Sequence, residues 1–424
     1  MSTNPFWVLQ QHKNFRLFWF GQTLSLVGSW MQTMAQGWLA LELSNSPLVV
    51  GVVAAASSLP IVLLSIAAGV VVDRSDRLRL VTIAQTLLLL EAVALWWFTW
   101  SGRITIPWLV TLAAIAGVVQ SFEIPARQSL VIELVGREHL RSAIALNSTG
   151  FNLGRIIGPG LAALVIARAG IAWCFAVNAL SYLAVLIGLL LIRLPQPPRS
   201  ARLMLEASPL ESIREGIRYV RETPVVYALI RLIAVYAVLG APYLALMPVV
   251  ARDVLGLGPG GYGLLLASVG VGGLSGALWL AARRDLERGR GRLLAQVSFA
   301  FAALLIAFAL VRDAYLAYGF LLAIGFTMIV NNAVANALLQ HIIPDDMRGR
   351  IMAAYSFIVV GLSQTVGAFG AGAVARLVGV PWAIGGGAVA MLLYAIWAFT
   401  GNARDAIGYP LSPVGTTDGG PATS

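Results

Sequence analysis

Charged residues, cysteine and lysine are all scarce in this sequence. Only 11% of its 424 residues are charged, whereas soluble domains carry roughly a quarter. Cys174 is the single cysteine, which excludes an intrachain disulfide and a thiolate metal cluster. The three histidines lie far apart, and the sequence contains no phosphate-binding P-loop. We therefore expect neither an enzyme nor a bound metal or cofactor, and direct drive by ATP is unsupported.

Hydrophobic residues, in contrast, make up 58% of the chain, and the mean hydropathy is +0.82. This composition predicts a polytopic protein embedded in a lipid bilayer, whose hydrocarbon core is about 30 Å thick. Twelve sufficiently long apolar stretches are predicted at 15–42, 47–72, 79–101, 105–123, 143–168, 171–193, 224–250, 259–282, 292–311, 315–340, 350–378 and 380–400. The predicted fold is all-α, with twelve transmembrane helices in two pseudo-symmetric six-helix bundles.

A polar interval and an internal repeat define the predicted domains. Residues 126–165 align with 335–374 at a constant offset of 209. Between the repeats, a proline-rich stretch precedes an amphipathic helix that we expect on the inner membrane surface. The predicted domains are a first bundle at 1–193, a cytoplasmic linker at 194–223, a second bundle at 224–400 and a disordered cytoplasmic tail at 401–424.

Basic residues are distributed unequally between the two sides of the predicted membrane. One side carries 22 of the 29 lysines and arginines and the other side 5, with Arg155 and Arg231 inside spans. By the positive-inside rule both termini are predicted to be cytoplasmic. The net charge of +10 follows this distribution, so it does not indicate binding to nucleic acid.

Predicted span 1 carries five polar residues at steps of three or four. Such spacing places them on one face of a helix, where polar side chains in hydrocarbon either line water or bond to neighbouring helices. A stripe of five favours a water-filled substrate cavity, and interhelical hydrogen bonding is the alternative. The residues are Gln22, Ser25, Ser29, Gln32 and Gln36.

Other polar and aromatic residues extend the predicted cavity to spans 4, 7 and 10. The tyrosines have a seven-residue step, which is also typical of core packing. These residues are Gln120, Tyr236, Tyr243, Asn331, Asn332 and Asn336.

Ionisable residues inside the predicted spans are few. Arg155 in span 5 and Glu91 in span 3 lie at similar depth, and each requires a partner or water because an unpaired charge there is costly. Glu123 lies at the predicted inner end of span 4. We regard all three as candidates for an intramembrane charge or ion-coupling role. A direct pair between Glu91 and Arg155, and a purely structural role for Glu91, both remain open.

The loop between spans 2 and 3 contains Gly69, Asp73, Arg74 and Arg77. Gly69 would allow close helix approach, and Asp73 could meet the positive end or the basic residues of a helix from the other half. The two arginines would lie at the level of the lipid phosphates. We predict a gate at this loop, and a solvated turn is the simpler alternative.

Span 5 carries a second motif of small residues. Gly150, Gly154 and Gly158 recur every fourth position, and Pro159 follows them. The glycines predict a groove for close helix contact, and the proline loosens the helix beyond. General helix packing accounts for the pattern as well as a specific function does.

The spacing of the loop motif resembles the signature of the major facilitator superfamily of transporters, and the span 5 motif resembles that of its antiporters. Residues 123–127, 143–147, 152–159 and 215–221 are similar to bacterial exporters of the enterobactin-exporter and macrolide-efflux type. The resemblance covers nearly the whole chain. It implies a bacterial cytoplasmic (inner) membrane protein, which we expect to be monomeric.

The resemblance also implies proton-driven export of a small amphipathic, siderophore-like or drug-like molecule, by rocking of two halves around a cavity lined by spans 1, 4, 7 and 10. Uptake of a small nutrient, or a non-transporting receptor or lipid-handling role, is the alternative. One feature departs from proton-coupled drug exporters. Residues 113–119 lack the arginine that these carry in span 4, and Gln120 is followed by Ser121. The coupling site is therefore unassigned.

Overall fold

The computed structural model describes residues 6–192, 209–283 and 289–400, and within these ranges the chain is helical with no strand. The first part of the predicted linker (194–208) and the predicted tail (401–424) lie outside the described residues. A short helix, Trp7–Gln11, precedes the spans, and a linker helix, Pro209–Glu222, precedes the second half.

The spans follow the order predicted from the sequence. Those of the first half are span 1 (Lys13–Ser44), span 2 (Pro47–Arg74), span 3 (Arg77–Trp100), spans 4 and 5 (together Ile106–Ala169) and span 6 (Ala172–Leu191). Those of the second half are span 7 (Pro224–Val254), span 8 (Pro259–Ala282), span 9 (Arg290–Leu310), span 10 (Ala314–Ile342), span 11 (Arg350–Val378) and span 12 (Val380–Thr400).

Ten helices in the described ranges are long and apolar enough to cross a membrane. One of them, Ile106–Ala169, has 64 residues and would be about 96 Å long as a straight helix. Gly136 divides it, since its φ of 71° and ψ of 170° are not helical. Span 1 has 32 residues and is also long enough to cross a membrane, but a larger share of its residues is polar than in any of these ten helices. Ten helices, one of them divided into two spans, together with span 1 give the twelve crossings predicted.

Span 4 is longer than the sequence indicated. Its predicted end was residue 123, but the helix continues through Pro125 to Gly136. Glu123 therefore lies inside the helix, where its Oε1 accepts a bond from Arg127 Nε at 2.8 Å. This i,i+4 ion pair stabilises the helix, at the point where the two charged residues had suggested that span 4 ended.

The internal repeat is visible in the turns that close the two repeated segments. Gly170 follows span 5 with φ 92°, and Gly379 follows span 11 with φ 89°. The two glycines are separated by the offset of 209 found in the sequence. Both positive φ values favour glycine, and both permit an immediate reversal into the next span.

The two halves touch through spans 2 and 11 and through spans 5 and 8. A Cβ on Gly51 would lie 2.6 Å from the carbonyl oxygen of Ala368, and one on Gly263 would lie 2.6 Å from that of Pro159. These contacts lie toward the end of the molecule that carries few arginines. We call this the opposite end, and we call the end with the arginine-rich loops the basic end.

The basic end is packed differently. A separate apolar cluster there is built only from first-half residues, among them Phe15, Val72 and Leu130. A Cβ on Gly69 would meet no described atom within 4 Å. Among the described residues, the halves therefore approach most closely at the opposite end and in the middle of the molecule.

Candidate functional site

A small cavity with an open mouth lies in the second half of the molecule. Spans 7, 9, 10 and 11 contribute its walls. Three of the residues predicted to line a substrate cavity do so: Tyr236, Asn331 and Asn332. The remaining lining residues are Ile233, Ala237, Ala241, Phe301, Met328 and Val359. The walls are thus mostly apolar, with a few polar groups, as is common in binding sites for small molecules.

Span 9 holds the polar groups of this cavity in position through Ser298. The Tyr236 hydroxyl donates to the Ser298 carbonyl oxygen at 3.0 Å, and Asn331 Nδ2 donates to Ser298 Oγ at 2.6 Å. The rings of Tyr236 and Phe301 stack with their centroids 6.0 Å apart. Asn332 is only half-buried, and its side-chain amide has no partner among the described residues. Asn332 is therefore the polar side chain most available to a ligand.

The backbone of span 7 is unusual where it borders the cavity. Residues Tyr236–Gly240 form a π-helical turn, and such turns frequently occur at functional sites. A Cβ on Gly240 would lie 2.9 Å from Phe301 Cε1, so glycine allows the turn to pack closely against span 9. Ser298, which anchors this side of the cavity, was not among the residues predicted from the sequence.

Tyr243, Asn336 and Gln120 lie in different surroundings. Tyr243 is 2% exposed, and its hydroxyl lies 4.0 Å from Sδ of the cavity residue Met328. Asn336 accepts a bond from Gln340 on its own helix. Gln120 is half-buried in span 4.

The polar stripe of span 1 faces mainly the interior of the first half. Gln32 Nε2 donates to Glu91 Oε2 of span 3 at 3.0 Å, and Gln32 Oε1 accepts from Asn178 Nδ2 of span 6 at 2.7 Å. Ser29 Oγ lies 3.2 Å from the Tyr182 hydroxyl. This geometry favours the interhelical alternative for Gln32 and Ser29.

The other members of the stripe are also largely enclosed. Ser25 is 1% and Gln22 is 7% exposed, and Gln36 is half-buried. Among the described residues, Gln22 Oε1 and Gln36 Nε2 are buried atoms with no hydrogen-bond partner. Exposure to the substrate stays a prediction for these residues.

The intramembrane charges do not pair with one another among the described residues. Glu91 is bonded to Gln32, whereas Arg155 Nη2 donates to Asn152 Oδ1 at 3.3 Å. Arg155 lies where spans 5 and 8 meet, because a Cβ on Gly273 would be 2.4 Å from its Nη2. Glu91 thus belongs to the interior of the first half, and Arg155 belongs to the interface between the halves.

Glu123 is the second buried carboxylate of the first half and is 4% exposed. Besides the bond from Arg127, its Oε1 accepts one from Gln85 Nε2 of span 3 at 3.2 Å. Glu123 is therefore already paired with a cation, unlike Glu91.

Two of the four predicted gate residues are exposed and two are half-buried. Arg77 forms an ion pair with Glu133 of span 4, which the sequence did not reveal. Asp73 and Arg74 are exposed, and Asp73 has no hydrogen bond or ion pair with the described part of the chain. Asp76, which was not among the residues predicted from the sequence, caps span 3. Its Oδ1 accepts a hydrogen bond from the Arg79 backbone N–H at 2.9 Å.

The predicted loop is shorter than expected: Gly69, Asp73 and Arg74 belong to span 2, Arg77 begins span 3, and only residues 75–76 lie between the two helices. In this conformation Arg77 ties the start of span 3 to span 4 rather than to the second half.

A histidine pair at the basic end was also missed. His12 Nε2 and His139 Nδ1 are 3.0 Å apart and join the start of span 1 to the segment after Gly136. Burial, together with the neighbouring His139, lowers the pKa of His12. The structure therefore favours the neutral form of this ring.

The glycines of span 5 pack against span 1. A Cβ on Gly150 would lie 2.8 Å from Thr23 Oγ1, and one on Gly158 would lie 2.6 Å from Trp30 Cβ. Gly154 has a similar contact with Leu26. Pro159 is buried and its carbonyl faces span 8. Span 5 therefore packs against span 1 through the glycines of the motif and against the second half through Pro159.

Comparisons with known proteins identify the kind of molecule that has this geometry. The family model described as "transmembrane secretion effector" matches residues 3–406. The multidrug efflux pump Tap of Mycolicibacterium fortuitum is 28% identical over 79% of this chain and 83% of its own length. Macrolide efflux protein A of Streptococcus pyogenes is 22% identical over 88% of this chain and 93% of its own length.

Solved structures show the same fold at low sequence identity. A bacterial homologue of the human lysosomal transporter Spinster, in an inward-facing and occupied conformation, has a TM-score of 0.72 with 14% identity and covers 96% of this chain and 100% of its own. The nucleoside transporter NupG has a TM-score of 0.70 with 13% identity and covers 93% and 99%. These neighbours are transporters, not enzymes. The chain is a multi-pass membrane protein that belongs to the transmembrane secretion effector family of major facilitator superfamily transporters.

Proposed function

We propose that this transporter exports a small amphipathic, siderophore-like or drug-like molecule across the bacterial cytoplasmic membrane by proton antiport. The observation that carries the proposal is the mostly apolar cavity of the second half, beside an interface whose contacts lie toward the opposite end. Efflux activity in the names of two relatives supports export as the direction. We take the protein to act as a monomer.

The charge distribution supports an orientation for this mechanism. The arginine-rich loops would face the cytoplasm, so both termini would be cytoplasmic and the described conformation would be inward-facing. A ligand would then reach the cavity from the cytoplasm or the inner leaflet.

Alternating access requires the opposite end to open and the basic end to close. At the opposite end, Arg252 of span 7 donates to the Leu41 carbonyl and to Asn45 Oδ1, which joins the two halves. At the basic end, Asp73 is free of described partners and would meet the second half when the gate closes. Arg77 would remain anchored to Glu133, which holds the loop in place for that contact.

Proton coupling would use a buried carboxylate of the first half. Glu91 is 3% exposed and bonded only to an amide, whereas Glu123 is bonded to Arg127. Burial without a neighbouring cation disfavours the charged form of a carboxylate. Glu91 is therefore the first candidate for taking up and releasing the proton, and Glu123, whose charge is balanced by Arg127, is the second. No resident cofactor is part of this proposal.

Everted membrane vesicles and labelled erythromycin test the proposed function. Vesicles with an acidic lumen should accumulate the macrolide, and a protonophore should abolish accumulation. The Asp73→Asn variant should insert into the membrane but not transport. Accumulation only in right-side-out vesicles would favour uptake instead, and accumulation that survives the protonophore would contradict proton antiport.

The coupling residue is tested with glutamine variants in the same vesicles. Glu91→Gln should still bind substrate but lose its response to the pH gradient. Glu123→Gln is the matched comparison, and an unaltered pH response in both variants would exclude both carboxylates.

A further inference from the structure

Arg155 is the only described arginine whose guanidinium lies in the middle of the spans at the interface of the halves. It extends from span 5 toward span 8, where glycine at position 273 makes room for it: a Cβ there would lie 2.4 Å from Nη2 and 3.4 Å from Cζ. Ile329 of span 10 lies at the same place, with its Cγ1 2.9 Å from that Cβ position. A first-half charge is therefore directed into the second half.

Most donors of this guanidinium have no hydrogen-bond partner among the described residues. Arginine has five N–H donors and no acceptor. Only the bond from Nη2 to Asn152 is formed with the described residues, and Nε is buried without a partner. An intramembrane charge with so few hydrogen-bond partners is costly and is usually associated with function.

No acidic side chain that the structure describes forms an ion pair with Arg155. Spans 8 to 12 contain no aspartate or glutamate, and the single acidic residue of span 7 is Asp253 at its end. In the first half, Glu91 is bonded to Gln32 and Glu123 to Arg127. The described residues of the spans thus leave room for an anion that comes from outside the chain.

The surroundings of Arg155 indicate the chemistry of that anion. Span 10 borders both the guanidinium and the cavity, since Ile329 lies beside Arg155 at Gly273 and the preceding residue, Met328, lines the cavity. The cavity wall is mostly apolar and includes Phe301, and Asn332 offers an amide. An amphipathic acid would place its apolar body in the cavity and its charged oxygens at the guanidinium.

We propose that Arg155 is the recognition site for an anionic group, such as a carboxylate or phenolate, on the exported molecule. The inference deepens the proposed function and rests on it, since it adds a preference for amphipathic acids among the exported molecules. A guanidinium binds a carboxylate through two parallel hydrogen bonds. Lysine, a point charge, would reproduce only part of this interaction.

Three ligands of the same shape and different charge test the proposal. They are 2-naphthoate, neutral 2-naphthamide and cationic 2-naphthylmethylammonium, and their binding to the purified full-length protein is measured by scintillation proximity and by thermal stabilisation. The wild type should bind the anion most tightly. Arg155→Gln should weaken naphthoate binding roughly tenfold to a hundredfold, as expected for loss of a charged hydrogen bond, and leave naphthamide binding unchanged. Arg155→Lys should be intermediate.

A second pair of variants moves the charge without removing it. Gly273→Ala should displace the guanidinium and weaken naphthoate binding, whereas Gly160→Ala on span 5, which has no described atom within 4 Å, should not. Arg168→Gln, an exposed arginine of the same span, is the charge control. Naphthoate that binds no better than naphthamide, or that binds Arg155→Gln as tightly as the wild type, would overturn the proposal.

Failure of this inference can be told apart from failure of the proposed function. Proton-driven erythromycin export without any preference for the anion would leave the transporter standing and remove the anion site. Naphthoate binding that depends on Arg155, without transport of any compound by the wild type, would support the anion site and contradict the proposed transport function.

Discussion

Arg252 provides a quantitative test of how the halves are held together at the opposite end. Its Nη1 donates to Asn45 Oδ1 at 2.8 Å and to the Leu41 carbonyl at 3.3 Å, both across the interface. A hydrogen bond contributes about 0.5–1.5 kcal/mol, and more from a charged donor. Because the Arg252 side chain is 28% exposed, we discount this to about 1–2 kcal/mol in total. Arg252→Met keeps the bulk of the side chain and removes its donors.

Loss of this energy should shift the population toward a conformation with the basic end closed. A change of 1–2 kcal/mol corresponds to a factor of roughly 5–30 in the equilibrium constant. Spin labels on cysteines at Arg141 and His341, both exposed at the basic end, would report the change by pulsed electron resonance after Cys174 is replaced by serine. Short distances should gain population in Arg252→Met.

Two controls separate this effect from a general loss of stability. Arg312→Met removes an arginine of the same end that bonds only to carbonyls of its own segment, so its distances should match the wild type. Asn45→Gly removes the acceptor and preserves the positive φ of 49°, and it should reproduce part of the shift. Identical distance distributions in Arg252→Met and the wild type would refute the reasoning.

Three further predictions concern packing, the buried network and pH. Gly158→Ala should lower the apparent Tm, because its Cβ would lie 2.6 Å from Trp30 Cβ and overpacking costs about 1–3 kcal/mol. Gln32→Leu should also lower the apparent Tm, by leaving the buried Glu91 carboxyl without its donor, at a cost of about 1–3 kcal/mol. The lowered pKa of His12 means that the fold favours its neutral form, so this contribution to stability is present above pH 6.5 and is lost as the pH falls. The apparent Tm of His12→Asn should therefore fall less than that of the wild type between pH 8 and pH 5.5.

Each of these predictions has its own control. Gly160→Ala, in open space on the same helix, should leave the Tm unchanged, and equal losses in both glycine variants would refute the packing argument. In the network, Gln32→Leu combined with Glu91→Leu should recover stability relative to the sum of the single changes, and simple additivity would contradict the coupling. A pH response of His12→Asn equal to that of the wild type would show that the ring does not titrate as described.

Much of the fold follows from the sequence alone. A spanning segment must satisfy its backbone hydrogen bonds within itself, so each helix is encoded locally by its own length and hydropathy. Local reasoning is weaker at helix ends. Span 4 was predicted to stop at Glu123, but its pair with Arg127 lies within a helix that continues until Gly136.

The roles of the polar residues, in contrast, were decided by tertiary structure. The sequence placed Gln32 on a polar face, but only packing determined that this face meets Glu91 and Asn178, 59 and 146 residues away. The rotation of a helix about its axis depends on all the side chains packed around it. Periodicity therefore identifies a face but does not identify what that face contacts.

The cavity shows the same division between sequence and structure. Tyr236 and Asn331 were recognisable from their positions in predicted spans. Ser298, which orients both, is the single hydroxyl of span 9 and carries no local signal. The charge of Arg155 and the absence of acidic residues from spans 8 to 12 are properties of the sequence. That its guanidinium lies against Gly273, with one described hydrogen bond, follows only from the way the two halves pack.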